Sequence, residues 1–238
     1  MTNQSVSQRL HDALGRVIAS TEPGQRLPSE PDLARQLGVS RATLREAMRT
    51  FETQGLLRRR QGSGTYVNRP SQVIESGLEV LESIETLAQR IGLPVSLGAL
   101  QVLQRPPQEQ EYRSLGISGE DKVTSVSRVI LAEGRPVAFL IDTLPQDILT
   151  PEELNATFTG SVLDLLLRRG EPPLMVSRTQ IGATTATHDV ARALGIQRGD
   201  VLLHFKAELY TPTGRVVDYS LSYFLPGYFR FHVLRRVG

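Results

Sequence analysis

The sequence predicts an α+β protein of two domains joined by a short linker. Apolar residues recur at helical spacing in the first third of the chain, whereas the remainder alternates β-prone runs with a few short helices. Glycine- and proline-containing turns separate these elements. We therefore expect a mainly helical domain over residues 1–69, a linker over residues 70–76 and an antiparallel α+β domain over residues 77–238.

The composition excludes several classes of protein. The chain of 238 residues is 39% hydrophobic and contains no cysteine, so disulfides, thiolate metal ligands and cysteine nucleophiles are all excluded. No apolar run is long enough to span a bilayer, and the N-terminal stretch lacks the apolar core of a signal peptide. We expect a cytoplasmic globular protein.

The net charge of +2 hides a difference between the two parts of the chain. Residues 1–70 hold 11 arginines and six carboxylates, a balance of +5, whereas residues 71–238 have a balance of −3. A basic segment joined to a mildly acidic one favours a module that binds a polyanion. An ordinary solvated surface has a similar charge balance, so only the motifs described below distinguish the two interpretations.

The first two helices are bounded by residues that start and stop helices. The periodicity predicts a helix over residues 5–20, which Pro23 and Gly24 end. Ser29 is a good N-cap for a second helix over residues 30–37. The glycine that follows is typical of a helix C-terminus.

The third helix has two distinct faces. It is predicted over residues 41–54, with Ser40 as its N-cap after a turn of three or four residues. An apolar stripe packs inward, and beside it an arginine ridge suits the reading of guanine in the major groove. A solvated helix with scattered arginines is the alternative. The stripe comprises Leu44, Ala47, Met48 and Phe51, and the ridge comprises Arg41, Arg45 and Arg49.

A β-hairpin is predicted directly after the third helix. Two short β-prone runs flank the turn that contains Gln61 and Gly62. Residues 58–60 are arginines and suit contact with phosphates, although a charged edge strand that avoids aggregation has the same composition. Together, the helix-turn-helix and the hairpin predict a winged helix-turn-helix that binds double-stranded DNA.

The stretch Leu27–Val67 resembles the DNA-binding domain of the GntR family of bacterial regulators. The resemblance runs through two helices and the hairpin, and it implies a homodimer on a palindromic operator, with repression as the commoner outcome. Pro31 occupies a position where many members carry an arginine that reads a base, so the base preference of relatives does not transfer. The expected DNA-binding residues are Ser40, Arg41, Thr43, Arg45, Arg49, Arg58, Gln61 and Gly62.

The second domain is predicted to consist mainly of hairpins. Short turns join consecutive β-prone runs, and glycines end the helical segments. The predicted helices are residues 77–92, 161–169 and 188–194, and the predicted strands are residues 123–131, 136–140, 175–183, 201–210, 216–224 and 228–234.

The second domain is similar to the UTRA domain, which binds effectors in the HutC branch of the GntR family. The similarity rests on Arg128, on residues 134–138 and 191–196, and on the closing stretch 216–231, within residues 76–238. It implies an antiparallel α+β fold like that of chorismate lyase, used here for sensing and dimerisation.

The same resemblance indicates an effector site. In relatives that sense sugar phosphates, the pocket uses arginine together with acidic and tyrosine residues near the C-terminal end, and Asp218 falls at the acidic position. This chain has Ile130 where a second arginine is often found and Phe224 where a tyrosine is common. The loss of forked anion recognition favours a carboxylate or an aromatic compound over a phosphosugar. A surface ion pair for Arg128 and a core position for Phe224 are the alternatives. The expected effector-binding residues are Arg128, Asp218, Tyr219, Ser220 and Phe224.

The sequence carries no pattern of catalytic residues. The four histidines are dispersed, P-loop and G-x-S-x-G motifs are missing, and Asp142 and Asp218 are far apart in the chain. We expect no catalytic residue, no metal and no cofactor. A lyase activity retained with the fold and an architectural DNA-binding protein without a ligand are the alternatives to the favoured function. That function is a ligand-responsive transcription regulator, released from its operator by a small-molecule effector.

Overall fold

The chain divides into two units. In the computed structural model one unit comprises residues 1–73 and 225–230, and the other comprises residues 74–224 and 231–238. No helix of the part described is both long and apolar enough to cross a bilayer. Residues 70–72 of the expected linker lie outside the described residues, and residues 74–76 belong to a strand. The structure describes residues 6–53, 55–60, 63–67, 73–154, 158 and 160–236.

The described residues up to position 67 form three helices and a hairpin, as predicted. Ser29 Oγ accepts the backbone N–H of Asp32 at 3.4 Å and starts the second helix, and Gly38 ends it with a φ of +67°. Ser40 Oγ accepts the N–H of Thr43 at 3.1 Å and starts the third helix. The elements are α1 (Val6–Ser20), α2 (Glu30–Leu37), α3 (Arg41–Thr53), β1 (Leu57–Arg60) and β2 (Gly64–Val67).

The core of the first unit contains the predicted face of α3. Leu44, Met48 and Phe51 are buried, while Ala47 is partly buried against them. Each large apolar side chain buried in this way stabilises the fold by about 1.5–3 kcal/mol. The other buried members of this core are Leu14, Ile18, Leu27, Leu33, Ala34, Leu57 and Val67.

A six-stranded antiparallel sheet is the centre of the second unit. The strand order is β4-β5-β6-β9-β8-β7, so two strands distant in sequence, β6 and β9, pair in the middle. The six strands of this sheet are β4 (Val95–Arg105), β5 (Val123–Ala132), β6 (Arg135–Pro145), β7 (Val176–Thr185), β8 (Val201–Tyr210) and β9 (Val216–Phe224). Outside the sheet lie β3 (Ile74–Gly77) and β10 (Phe229–His232), the first two residues of β10 belonging to the first unit. The helices are α4 (Ile84–Arg90), α5 (Glu109–Leu115), α6 (Val162–Arg169) and α7 (His188–Leu194), with a 3-10 turn at Pro151–Glu153.

Helices cover parts of both faces of this sheet. On one face, Leu115 of α5 packs with Tyr219 and Val123. On the opposite face, Leu166 of α6 packs with Val126 and other apolar residues at one end of the sheet. The antiparallel α+β class predicted from the sequence is confirmed.

The helix predicted over residues 77–92 is wrong for residues 77–83. The helix begins only at Ile84, because Ser83 Oγ accepts the N–H of Thr86 at 3.0 Å as an N-cap. The preceding segment is tied to the end of the chain, where Leu78 N–H donates to the carbonyl of His232 at 3.0 Å. These capping and backbone contacts outweigh the apolar periodicity of the segment.

Candidate functional sites

The first candidate site is the solvent-facing side of α3. Because the apolar stripe is buried, Arg41 and Arg45 are exposed, and the side chain of Arg45 is 53% exposed. Arg49 is only 25% exposed and pairs with Glu46 at 3.0 Å. The structure therefore presents the first two arginines of the ridge to solvent and holds the third against the helix flank.

Glu30, at the start of α2, orients Arg45. Arg45 Nε donates to one carboxylate oxygen at 2.5 Å, and an Nη of Arg59 lies 3.5 Å from the other oxygen. None of the described residues binds the two terminal amino groups of Arg45. The two terminal amino groups of an arginine form a fork that can bond guanine O6 and N7 or a phosphate.

The N-terminus of α3 adds polar groups to this face. Ser40 and Thr43 are exposed, and their hydroxyl oxygens lie 2.8 Å apart. The first N–H groups of a helix and its capping hydroxyls are suited to contact a phosphate. Arg41 is the next residue after Ser40 and is also exposed, so this helix end presents hydroxyl groups and a guanidinium to solvent.

The hairpin contributes Arg58 at a solvent-exposed position opposite Tyr66. Arg59 instead turns to the helices, where it lies 3.3 Å from a carboxylate oxygen of Glu52. Gln61 and Gly62, the predicted contacts of the hairpin tip, lie outside the described residues, and their roles stay predictions.

The second candidate site is a cavity of about 480 Å³ on the face of the six-stranded sheet that also packs against α6. Successive side chains of a strand point to opposite faces. Asp218, Ser220, Ser222 and Phe224 of β9 therefore share one face and line the cavity. Arg128 lines it from β5, so four of the five predicted effector-binding residues come together.

Tyr219 is the exception among the predicted effector contacts. It is buried on the other face of the sheet, with Leu115 and Val123, and does not line the cavity. Its place between Asp218 and Ser220 requires this orientation, because neighbours on a strand face opposite ways. Tyr219 is a packing residue, and the expected contact with an effector is corrected.

Arg128 and three carboxyl groups form a cluster inside the cavity. Arg128 donates to Asp142 Oδ2 in a buried ion pair, and Asp218 and Glu85 lie beside it. Burial, followed by the charge of Asp142 and a hydrogen bond with it, raises the pKa of Asp218 well above its usual range. Burial also raises the pKa of Glu85. Asp218 therefore stays protonated at a pH where an exposed aspartate is ionised.

Three atoms of this cluster are buried without a hydrogen-bond partner among the described residues. They are Arg128 Nε, Asp218 Oδ1 and Glu85 Oε1. Leaving such groups unsatisfied costs free energy, so buried polar atoms normally bond to a protein group, an ordered water or a ligand. These three atoms therefore offer hydrogen-bonding capacity that a polar group of a bound molecule can use.

Aromatic side chains form another part of the cavity wall. The ring centroids of Phe205 and Phe224 are 5.1 Å apart, and those of Phe205 and Phe231 are 4.6 Å apart. Phe224 is 4% exposed, so it is both a core residue and a lining residue of the cavity. The cavity thus combines a charged cluster with an aromatic one.

The sequence does not identify Asp142, Glu85 or Glu30 as functional residues. Asp142 offers a weak signal, since it is a charged residue two positions after the predicted strand 136–140, in a mostly apolar stretch. Glu85 and Glu30 are ordinary acidic residues in the first turns of helices. Only tertiary packing shows what they contact.

Comparison with known proteins gives consistent results for both units. Residues 4–67 match the family "Bacterial regulatory proteins, gntR family", and residues 92–230 match the UTRA domain. The chain is 28% identical to the transcriptional repressor NagR of Bacillus subtilis over 219 residues, 91% of this chain and 88% of that protein. It is 28% identical to the histidine utilization repressor of Pseudomonas putida over 187 residues, 77% and 73% of the two chains. The crystal structure of PhnF from Mycobacterium smegmatis has the same fold, with a TM-score of 0.63 at 21% identity, covering 96% of this chain and 100% of that one.

Replacement of Arg45 tests the first site. We expect Arg45→Ala to weaken binding to a duplex selected by the wild-type protein by more than about tenfold, because a forked arginine contact contributes about 1–3 kcal/mol of recognition. Affinity is measured by fluorescence anisotropy with a labelled duplex. Arg113→Ala is the matched control, because it removes an equally charged, exposed arginine from α5. Equal affinities of the Arg45 variant and the wild type would contradict the assignment.

The carboxyl cluster makes a prediction about stability. Asp218→Asn replaces a protonated carboxyl with a neutral amide, so we expect it to change the free energy of unfolding by less than about 1 kcal/mol. Asp142→Asn removes the partner of Arg128, but Asp218 can then ionise in its place and limit the loss. The double variant lacks this substitute, so we expect its free energy of unfolding to fall by about 3–5 kcal/mol.

Chemical denaturation of the wild type, both single variants and the double variant measures the coupling. Strictly additive losses of free energy would show that Asp218 does not replace Asp142 as the ion-pair partner of Arg128, contrary to the arrangement described.

Proposed function

Because this chain belongs to the GntR family of bacterial regulatory proteins, we propose that it is a transcriptional repressor that a small effector releases from DNA. It is a DNA-binding transcription regulator and not an enzyme, like the repressors with which it aligns. The observation that carries the proposal is the pair of exposed arginines, Arg41 and Arg45, beside the buried apolar stripe of the same helix.

The proposed DNA complex contains two copies of the chain in the bacterial cytoplasm. A dimer presents two α3 helices to half-sites about 34 Å apart, one turn of the duplex. Ser40, Thr43 and Arg58 contact phosphates and set the register, whereas Arg41 and Arg45 reach the base edges. Such an assembly requires an operator with inverted symmetry.

The proposed effector occupies the cavity on the sheet of the second unit. Its volume of about 480 Å³ falls in the range of small-molecule sites, about 300–1,000 Å³. Buried polar atoms without partners and an aromatic wall support ligand binding there. Effector binding changes DNA affinity if two conformations of the protein that differ in their affinity for DNA also differ in their affinity for the effector. The free energy of such coupling is typically about 1–3 kcal/mol.

The DNA-binding part of the proposal predicts the form of the operator. Selection from a random duplex library with the full-length protein should yield an inverted repeat whose half-site centres are about one helical turn apart. Sedimentation should show two chains on each duplex, and affinity should fall steeply with salt because arginine–phosphate contacts release counterions. A selected site without symmetry, bound by one chain, would refute the dimeric model.

The effector part of the proposal predicts that a variant whose cavity is filled by a larger side chain no longer responds to the effector. A small-molecule extract of bacterial cells should lower the affinity of the wild type for the selected duplex by about fivefold or more. Ser222→Phe places a ring inside the cavity and should abolish this response without changing affinity in the absence of extract. Thr213→Phe, in an exposed turn, is the control and should respond normally. A Ser222 variant that still responds would place the effector elsewhere.

A further inference from the structure

The ligand chemistry of the cavity follows from the charges that line it. We infer that the cavity takes an organic cation, an ammonium group on an apolar or aromatic body, an inference that rests on the cavity being the effector site. Five carboxyl side chains line the cavity, and Arg128 is the one basic side chain among the described residues that do so. The five are Glu79, Glu82, Glu85, Asp142 and Asp218.

The single guanidinium is already neutralised. Arg128 forms its ion pair with Asp142, and the carboxyl groups of Glu85 and Asp218 also act on it electrostatically. An anionic ligand would have to compete with Asp142 for this arginine and would lie next to further carboxyl groups. A carboxylate, which the sequence favoured, and a phosphate ester are both disfavoured by this arrangement.

An ammonium group suits the two carboxyl oxygens left without partners, although it cannot accept a hydrogen bond from Arg128 Nε. Glu85 Oε1 and Asp218 Oδ1 are buried oxygens with no hydrogen-bond partner among the described residues. An ammonium group has three N–H donors and no acceptor. Its positive charge also favours the ionisation of a carboxyl that is protonated without a ligand. The bound cation and this carboxylate then carry no net charge together.

The remaining walls suit the body of such a ligand. The rings of Phe205, Phe224 and Phe231 form one cluster, with centroids 4.6–5.3 Å apart. Aromatic faces attract cations as well as apolar groups. Large apolar side chains that line the cavity are also exposed to solvent, which offers further apolar surface for a ligand to cover. These side chains are Leu78, Val80, Leu81, Met175, Val176 and Ile181.

A matched series of compounds tests the inference on the full-length protein. The probes are 2-phenylethylamine, 2-phenylethanol, 3-phenylpropanoate and 2-phenylethyl phosphate, which differ mainly in the charge of the head group. Isothermal titration should show that the amine binds about tenfold or more tightly than either anion. Tighter binding of an anion, or no binding of the amine at millimolar concentration, would overturn the inference.

Variants locate the bound amine. Asp218→Asn and Glu85→Gln cannot ionise and should each weaken amine binding by about tenfold. Asp147→Asn is the control, because it removes a carboxyl that pairs with Arg215 at 2.7 Å outside the cavity, and it should bind the amine normally. Cooperative thermal unfolding of all three variants, at temperatures close to that of the wild type, shows that they are folded. Amine binding that both cavity variants retain would also overturn the inference.

These experiments distinguish an error in the ligand class from an error in the proposed function. If an anion binds and Ser222→Phe blocks it, the cavity is the effector site and only the ligand class is wrong. If the extract changes DNA affinity of the wild type and of Ser222→Phe alike, the cavity itself is not the effector site.

Discussion

The burial of one face of α3 is the constraint on which the DNA-binding surface depends. A helix of 13 residues is marginally stable on its own in water, so its place is set by the packing of Leu44, Met48 and Phe51 in the core of the first unit. Once these side chains are buried, the helical geometry determines which residues remain outside. Arg41 and Arg45 are on the outer side, and the contact with Glu30 orients the guanidinium of Arg45 without using its terminal amino groups. The recognition surface is thus a consequence of core packing and one ion pair.

A comparable constraint acts in the second unit, where antiparallel pairing of β6 and β9 sets Asp142 opposite Ser220. This register brings Asp142 close to Asp218 and, across β5, to Arg128. Burying one guanidinium with several carboxyl groups does little for stability compared with an apolar core. The arrangement instead leaves polar atoms available inside a cavity, which fits a site that recognises a ligand by charge and hydrogen bonding.

The sequence predicted the first unit more fully than the second because its signals are local. Caps at Ser29 and Ser40 and the glycine at position 38 define helix ends within the segment itself, and the observed bounds differ from the predicted ones by one residue or less. In the second unit, strands β8 and β9 were predicted with their observed bounds, yet β4 and α5 were not singled out. The convergence of Asp142 and Asp218 depends on strand pairing between distant segments, which no local pattern encodes. Strand alternation alone, however, would have separated Tyr219 from Asp218 and Ser220.

The central claim is that α3 presents its arginines to base edges in the major groove. Methylation interference on the selected duplex tests it directly, because methylation at guanine N7 blocks the atom that a forked arginine contacts. The account predicts that methylation of guanines at N7 in both half-sites prevents binding of the full-length protein. Interference confined to adenine N3 in the minor groove, with none at guanine N7, would contradict it.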